Sequence, residues 1–278
     1  VFAGYANLSD LLEIMSWYDS EDQVFVLREL ASQCSEISQL LQLNDNGQKL
    51  FHKYRSPFSS ALDKLGWESK NQEDPHVKQL RAISINFLIR AGDNEVKQKA
   101  LSLALSYLEN GPLDPDIRNA CLSAVSTEGT RSFFDLLKRT YERKNNIEEK
   151  IALLSTLAEF TDSSLLREYL DYAMTSAVRR QDLRTVFSRV GHNPTCPQYI
   201  FQWVKNHWPV LSELRKSHFV YMGLLQTLVT TAQDTNILNN IREFLENNDE
   251  GFEKTKANAF ETAQLYIAFR EKENSFNI

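Results

Sequence analysis

Glycine and proline are scarce in this sequence, at 9 and 7 of 278 residues, and they lie mostly between apolar-periodic segments rather than inside them. No segment alternates apolar and polar residues as a half-buried strand does. No apolar run approaches the roughly 20 residues that cross a membrane. These absences favour an all-α protein that has no membrane partner.

Cysteine and basic charge are also low. Cys34, Cys121 and Cys196 are odd in number and far apart, which fits neither a zinc cluster nor a disulfide framework. The net charge is -6, whereas proteins that bind phosphate backbones usually carry a basic stripe. We therefore expect no nucleic-acid partner. The composition, 42% hydrophobic and 24% charged, is that of a globular protein with room for a sizeable core.

The sequence also lacks the motifs of the common catalytic sites. None of its five histidines stands in H-E-x-x-H, the pattern that places two zinc ligands and a general base on one helix face. There is no G-x-S-x-G nucleophile elbow and no glycine-rich phosphate loop. The sequence thus predicts no catalytic residue, no metal ligand and no cofactor in this segment.

Helix starts are marked by aspartate, in two cases followed by proline. Asp74-Pro75 and Asp114-Pro115 each combine a capping carboxylate with a proline at the first helical position, where its missing N–H leaves no hydrogen bond unmade. Asp93 is predicted to cap a further helix. The helix after Pro75 is apolar on nearly all sides, so we expect it to be central and buried.

Pairs of such helices are predicted to form hairpins. In residues 148–174, "EEKIALLSTLAEFTDSSLLREYLDYAM", two apolar stripes flank a short polar turn, as in an αα-hairpin. Similar units recur from Glu21 onward at roughly 30–40 residues, the range of HEAT and armadillo repeats. We predict about 13–15 helices in an irregular α-solenoid of HEAT/armadillo-like hairpins that forms a concave bowl. No linker divides the chain, so residues 1–278 are predicted to be a single α-helical domain.

One turn is unusually rich in helix-breaking residues. In residues 189–211, "RVGHNPTCPQYIFQWVKNHWPVL", Gly191 is predicted to end one helix and residues 193–195 to start the next. The four large side chains that follow are predicted to pack in the core; they are Phe201, Trp203, Val204 and Trp208.

Three segments together resemble a known family. Residues 5–30, "YANLSDLLEIMSWYDSEDQVFVLREL", residues 56–82, "SPFSSALDKLGWESKNQEDPHVKQLRA", and residues 189–211 are similar, in order and spacing, to the C-terminal helical domain of M1-family zinc aminopeptidases. The middle segment, with its Leu65-Gly66-Trp67, resembles the puromycin-sensitive aminopeptidase branch.

The resemblance implies a function for the chain as part of a larger enzyme. Such enzymes carry an N-terminal β domain, a thermolysin-like zinc domain with H-E-x-x-H and a distal glutamate, often a small β-sandwich, and then a helical bowl that closes over the active site. Because the chain begins at Val1 rather than Met, we expect it to be a fragment of a longer protein. It is then the non-catalytic C-terminal domain of a zinc aminopeptidase, inactive alone, which accommodates the distal part of peptide substrates.

The same resemblance implies partners and a location. The partners are the peptide substrate and the N-terminal catalytic domain of the same chain, and zinc belongs to the parent enzyme only. The free cysteines and the resemblance to the puromycin-sensitive aminopeptidase branch indicate a cytoplasmic location. The alternative is a free-standing HEAT/armadillo-like scaffold that binds a partner protein on its concave face.

His192 is the one candidate substrate-binding residue. In several relatives a basic residue beside the glycine of this turn faces the internal cavity, and His192 stands at the matching position. A histidine before a helix N-terminus is suited to a substrate carboxylate. The alternative is that the turn serves only packing.

Overall fold

The computed structural model describes residues 7–41 and 45–273, without the side chains of residues 45 and 46. Within these residues there are fifteen α-helices, three short 3-10 helices and no strand, which confirms the all-α prediction. No described helix is both long and apolar enough to cross a membrane. The α-helices are α1 (Leu8–Ser16), α2 (Val24–Leu40), α3 (Asp45–Lys53), α4 (Ser56–Leu65), α5 (Pro75–Arg90), α6 (Asn94–Leu108), α7 (Arg118–Glu128), α8 (Arg131–Arg143), α9 (Ile147–Leu157), α10 (Ser163–Ala173), α11 (Leu183–Gly191), α12 (Ile200–Leu211), α13 (His218–Thr230), α14 (Thr235–Asn248) and α15 (Glu253–Lys272).

Two of the predicted helix caps are present. The Asp74 carboxylate accepts a hydrogen bond from the backbone N–H of His76 at 2.7 Å, and Pro75 is the first residue of α5. The Asp93 carboxylate accepts from the N–H of Val96 at 3.0 Å at the start of α6. Each cap satisfies an N–H that has no partner inside its helix, which is worth about 1 kcal/mol.

The prediction that Asp114 caps the start of a helix is wrong. The helix does not begin at Pro115, because α7 starts at Arg118. One oxygen of the Asp114 carboxylate accepts from the hydroxyl of Ser69, and the other accepts from the N–H of Asp116 at 2.9 Å. The local hydrogen bond from the N–H of Asp116 to the Asp114 side chain favours a turn over a helix start at this point.

The described chain divides into two compact units, one that ends at Arg143 and one that begins at Lys144. In the first unit, α5 contacts α2, α3, α4, α6 and α7. It buries Leu80, Ile85, Phe87, Leu88 and Ile89, as predicted from its apolar surface. The single-domain prediction for residues 1–278 stays a prediction.

In the second unit, α9, α11, α13 and α15 pack side by side in that order. The even-numbered helices lie against them, with α10 on α11, α12 on α13, and α14 on both α13 and α15. The predicted hairpin of residues 148–174 is present as α9 and α10, and the Tyr169 hydroxyl donates to the Leu154 carbonyl at 2.7 Å between them. This alternation is what stacked hairpins produce. The solenoid and its bowl stay predictions.

Candidate functional site

The turn after α11 is held by one buried asparagine. The Asn193 amide group donates to the carbonyls of Ala158 and Phe160 at 2.7 and 2.8 Å, and its oxygen accepts from the N–H of Thr195 at 2.9 Å. The side chain is 5% exposed. Ala158 is the C-cap residue of α9, so Asn193 joins the end of α11 to the end of α9 and fixes the turn's position in the second unit.

Gly191 ends α11, as predicted, and it also allows α11 to approach α13 closely. A Cβ on Gly191 would lie 3.1 Å from Cγ2 of Thr227, tighter than ordinary van der Waals contact. The hydroxyl of Thr227 donates to the carbonyl of Phe187 at 2.9 Å across the same contact. A larger residue at position 191 would require the Thr227 side chain or one of the two helices to shift by a few tenths of an ångström.

His192 is exposed and caps the C-terminal end of α11. Its Nδ1 lies 2.6 Å from the carbonyl oxygen of Ser188. A carbonyl can only accept, so Nδ1 carries the proton and Nε2 is the nitrogen left for a ligand.

The electrostatics at His192 differ from those predicted. No α-helix starts directly after it, since a three-residue 3-10 helix, Cys196–Gln198, intervenes before α12 begins at Ile200. The position instead lies at the negative end of the α11 dipole. Attraction of a carboxylate must therefore come from the imidazole and neighbouring cations. The substrate-binding role of His192 stays a prediction.

The aromatic residues after the turn pack mainly as predicted. Trp203, Val204 and Trp208 are buried. Phe201 is only half-buried and makes an edge contact with Phe244, at 5.9 Å between ring centroids. The helix α12 therefore contributes to the core of the second unit rather than to an exposed binding surface.

The solvent-facing side of α11 is cationic. Arg184 and Arg189 are exposed on the helix, and Arg180 is exposed one turn before Arg184. The helix sequence, LRTVFSRVG, supplies no carboxylate. The acidic residue before it, Asp182, is buried and bonded to both Nε and Nη2 of Arg179, at 2.7 and 2.9 Å.

An apolar surface on α13 adjoins Arg184. Phe219 is 71% exposed and Met222 follows one turn later. The guanidinium carbon of Arg184 lies 5.8 Å from the centroid of the Phe219 ring. A Cβ on Gly223 would lie 3.6 Å from Cγ of Arg184, so the arginine stem runs along α13. We call this surface the α11–α13 face; it comprises Arg180, Arg184, Arg189, His192, Phe219 and Met222.

A buried ion pair fixes the family-like segment 56–82. The guanidinium of Arg81, on α5, donates two hydrogen bonds to the Glu73 carboxylate at 2.8 and 2.7 Å and a third to the Gly66 carbonyl at 3.0 Å. The Arg81 side chain is 0% exposed. Its hydrogen bonds to Glu73 lower the pKa of that carboxyl group. This charge cluster has a structural role, because its charges are occupied within the first unit.

The first unit also exposes aromatic side chains beside α1. Trp17, the C-cap residue of α1, is 69% exposed, and Ile14, Tyr18 and Phe25 are exposed nearby in sequence. Exposed apolar groups of this size are typical of a contact with another protein surface. We call these four residues the Trp17 surface.

The described residues do not fit a zinc site. Across residues 7–41 and 45–273, His, Cys, Asp and Glu side chains nowhere gather in groups of three that could hold a metal ion. The three cysteines are free and buried. Burial raises the pKa of Cys34 and of Cys121 to about 12, which keeps these thiols protonated.

Comparisons with known proteins identify the family. The family model of the ERAP1-like C-terminal domain matches residues 1–265. Aminopeptidase M1-D of Oryza sativa subsp. japonica is 25% identical over 238 residues, covering 82% of this chain and 27% of the relative. Aminopeptidase M1 of Arabidopsis thaliana is 25% identical over 248 residues, covering 86% and 28%.

A yeast aminopeptidase is also similar to this chain. Aminopeptidase 2, mitochondrial, of Saccharomyces cerevisiae is 20% identical over 266 residues, covering 94% of this chain and 28% of the relative. The chain thus spans less than a third of each of these relatives. Because the family model matches nearly the whole chain, the chain belongs to the family of ERAP1-like C-terminal domains, the C-terminal domain of M1-family aminopeptidases.

Proposed function

We propose that this chain is the non-catalytic C-terminal domain of a zinc aminopeptidase, in which it closes over the active site and accommodates the distal part of peptide substrates. The observation that carries the proposal is the family match over residues 1–265. The relatives named above are aminopeptidases of which this chain covers 27 or 28%. Peptide-bond hydrolysis is then the task of the remainder of the parent protein.

The catalytic zinc is part of this proposal and belongs to another domain. The described residues bring together no group of side chains that could hold it. A thermolysin-like domain supplies zinc-activated water for hydrolysis when the metal is bound. This chain supplies surfaces that bind and enclose the substrate.

The α11–α13 face has the chemistry that the distal part of a peptide needs. A peptide held by its N-terminus at a distant catalytic centre directs its C-terminal carboxylate away from that centre. Arg189, exposed in the last turn of α11, can donate hydrogen bonds to a carboxylate. His192, the exposed C-cap residue, can donate through Nε2 when both of its ring nitrogens carry protons. Phe219 and Met222 offer apolar contact to its side chains.

The Trp17 surface is proposed to contact the N-terminal catalytic domain of the same chain. Its exposed aromatic side chains belong to the first unit, and the relatives are more than three times as long as the segment matched. Burial of such groups between domains is favourable by about 25 cal/mol per Å² of apolar area.

A cytoplasmic location completes the proposal. It is supported by three free cysteines, which are typical of reducing compartments. Fractionation of cells that express the full-length protein tests it, and recovery in the mitochondrial fraction would contradict it.

The experiment for the proposed function uses the full-length protein with His192→Ala. KM for ten-residue peptides should rise about threefold to tenfold, while kcat/KM for a one-residue amide stays unchanged, since only the long substrate reaches α11. His52→Ala, another exposed histidine, is the matched control. No change for either substrate would remove His192 from the proposal, and an equal loss for both would indicate a folding defect.

A further inference from the structure

We infer that the α11–α13 face selects peptides by acidic side chains in their distal part, with an apolar side chain between or beside them. Arginines of the face bind the carboxylates, and Phe219 and Met222 contact the apolar side chain. This inference rests on the proposed function and adds a substrate preference to it.

The charge of this face is opposite to that of the chain. The whole sequence has a net charge of -6, yet the exposed residues of α11 include two arginines and no carboxylate. The acidic residue near Arg180 is Glu213, whose carboxylate is 2.6 Å from Lys216. The hydrogen bond from Lys216 lowers the pKa of Glu213, with a smaller contribution from Arg180. Arg180 thus already has a carboxylate neighbour, whereas no ion pair of Arg184 or Arg189 is present among the described residues. The guanidinium groups of Arg184 and Arg189 can therefore bind an external carboxylate, which is their complement in charge and shape.

Arg184 is the best positioned of these cations. Its stem runs along α13 at Gly223, and its guanidinium is 5.8 Å from the Phe219 ring centroid. Packing against the ring restricts the side chain before any ligand arrives, which lowers the entropy lost on binding. A planar guanidinium held in this way can donate two parallel hydrogen bonds to one carboxylate.

Phe219 provides the apolar contact. It is 71% exposed, whereas aromatic rings of this size are usually buried in the core. An exposed ring beside a positioned arginine is typical of anchor sites in protein interfaces. A peptide residue that covers Phe219 would also remove water from the Arg184 bond to a carboxylate and strengthen it.

The spacing of the arginines sets the spacing of the acids. Arg180, in the 3-10 helix Arg180–Asp182, precedes Arg184 of α11 by four residues, which corresponds to about 6–8 Å along these helix types. An extended peptide advances about 3.3 Å per residue. Acidic residues two positions apart therefore match the two arginines, and Glu-Phe-Glu is the simplest sequence with an aromatic ring between them.

The test uses the full-length protein and two dye-labelled ten-residue peptides. They are identical except that one carries Glu-Phe-Glu and the other Gln-Phe-Gln in the distal half. Fluorescence anisotropy gives Kd for each, and aminopeptidase assays give kcat/KM for the unlabelled forms and for a one-residue amide. We expect the acidic peptide to bind about threefold to tenfold tighter at low salt, and the preference to shrink as salt screens the charges.

Two variants assign the preference to this face. Arg184→Gln should reduce the acidic preference to about twofold or less. Phe219→Ser should weaken binding of both peptides, and of the acidic peptide more, because Arg184 loses the ring that restricts it. Arg167→Gln is the matched control, because Arg167 is an exposed arginine of the same unit that lies 5.4 Å from the ring of Tyr199 but belongs to α10. The control should keep the full preference.

The outcomes separate this inference from the proposed function. If long peptides bind and are cleaved but Glu and Gln peptides behave alike, the inference is wrong and the proposed function stands. If binding and cleavage do not depend on the distal half at all, both are wrong. If Arg167→Gln reduces the preference as much as Arg184→Gln, or if a single-stranded oligonucleotide displaces the acidic peptide at equal concentration, the assignment to acidic peptides on this face is overturned.

Discussion

Asn193 allows a sharp test of how the turn after α11 is held. The variant Asn193→Ala removes three hydrogen bonds, two donated by the side chain to the carbonyls of Ala158 and Phe160 and one accepted from the N–H of Thr195. The asparagine is 5% exposed. Water therefore cannot replace the lost partners without local opening of the structure.

The expected loss follows from the bonds removed. A buried polar group left without a partner costs about 1–3 kcal/mol, and the three groups share one small site, so we expect about 3 kcal/mol in total. Since 1.4 kcal/mol corresponds to a factor of ten in an equilibrium constant, opening of this turn should become about a hundredfold more frequent. The effect should be local, because the bonds join only the ends of α9 and α11.

Hydrogen exchange of the full-length protein, resolved to peptides by mass spectrometry, measures this opening. In Asn193→Ala, amides of Thr195 and Cys196 should exchange about a hundredfold faster. Asn193→Asp keeps the hydrogen bond to Thr195 but places a second carboxylate oxygen, which cannot donate, next to the carbonyls of Ala158 and Phe160. We therefore expect it to increase exchange at least as much as Asn193→Ala. Asn206→Ala, on the exposed side of α12, is the control. Unchanged exchange in Asn193→Asp would show that the two hydrogen bonds donated by Asn193 do not stabilise the turn.

Three further predictions concern the ion pair, the helix contact and the thiols. Since hydrogen bonds from Arg81 lower the pKa of Glu73, the pair stabilises the fold above the usual glutamate pKa of 4.5 and loses this contribution at lower pH. The unfolding free energy of the wild type should thus fall more steeply below pH 4.5 than that of Glu73→Gln, and parallel curves from urea titrations would contradict this. Gly191→Ala should lower the urea midpoint of unfolding. Adding Thr227→Ser, which removes the close methyl group but keeps the hydroxyl, should restore part of the loss. If the changes in unfolding free energy of the two single variants simply add in the double variant, the two positions are not in close contact. Burial raises the pKa of Cys34 to about 12, so this thiol should resist iodoacetamide at pH 8 until urea unfolds the protein, and rapid labelling of the native protein would show the burial to be wrong.

Local chemistry made much of the fold predictable. Asp74 and Asp93 cap helices because a carboxylate at that position bonds the first free N–H groups, whatever the rest of the chain does. The central position of α5 follows from its apolar surface, which only burial on several sides can remove from water. Gly191 was predictable as a helix end, but its approach to Thr227 was not.

Contacts between distant segments explain what the sequence did not reveal. Asp114 does not start α7, which begins at Arg118, and one of its carboxylate oxygens accepts a hydrogen bond from Ser69, 45 residues away. The α11–α13 face was missed for a related reason, since Arg184 and Phe219 meet only when α11 packs on α13. A signal existed in part: arginines at positions 180, 184 and 189 accompany a helix that contains no acid. Nothing local marked Phe219 as exposed.

Photocrosslinking can show whether this chain contacts the distal part of peptide substrates. A ten-residue peptide with a benzophenone side chain near its C-terminus is irradiated with the full-length protein, and the attachment site is mapped by mass spectrometry. We expect attachment within α11 or α13, and competition by an unlabelled long peptide but not by a one-residue amide. Attachment that falls outside residues 1–278, under conditions in which the peptide is bound, would contradict this expectation.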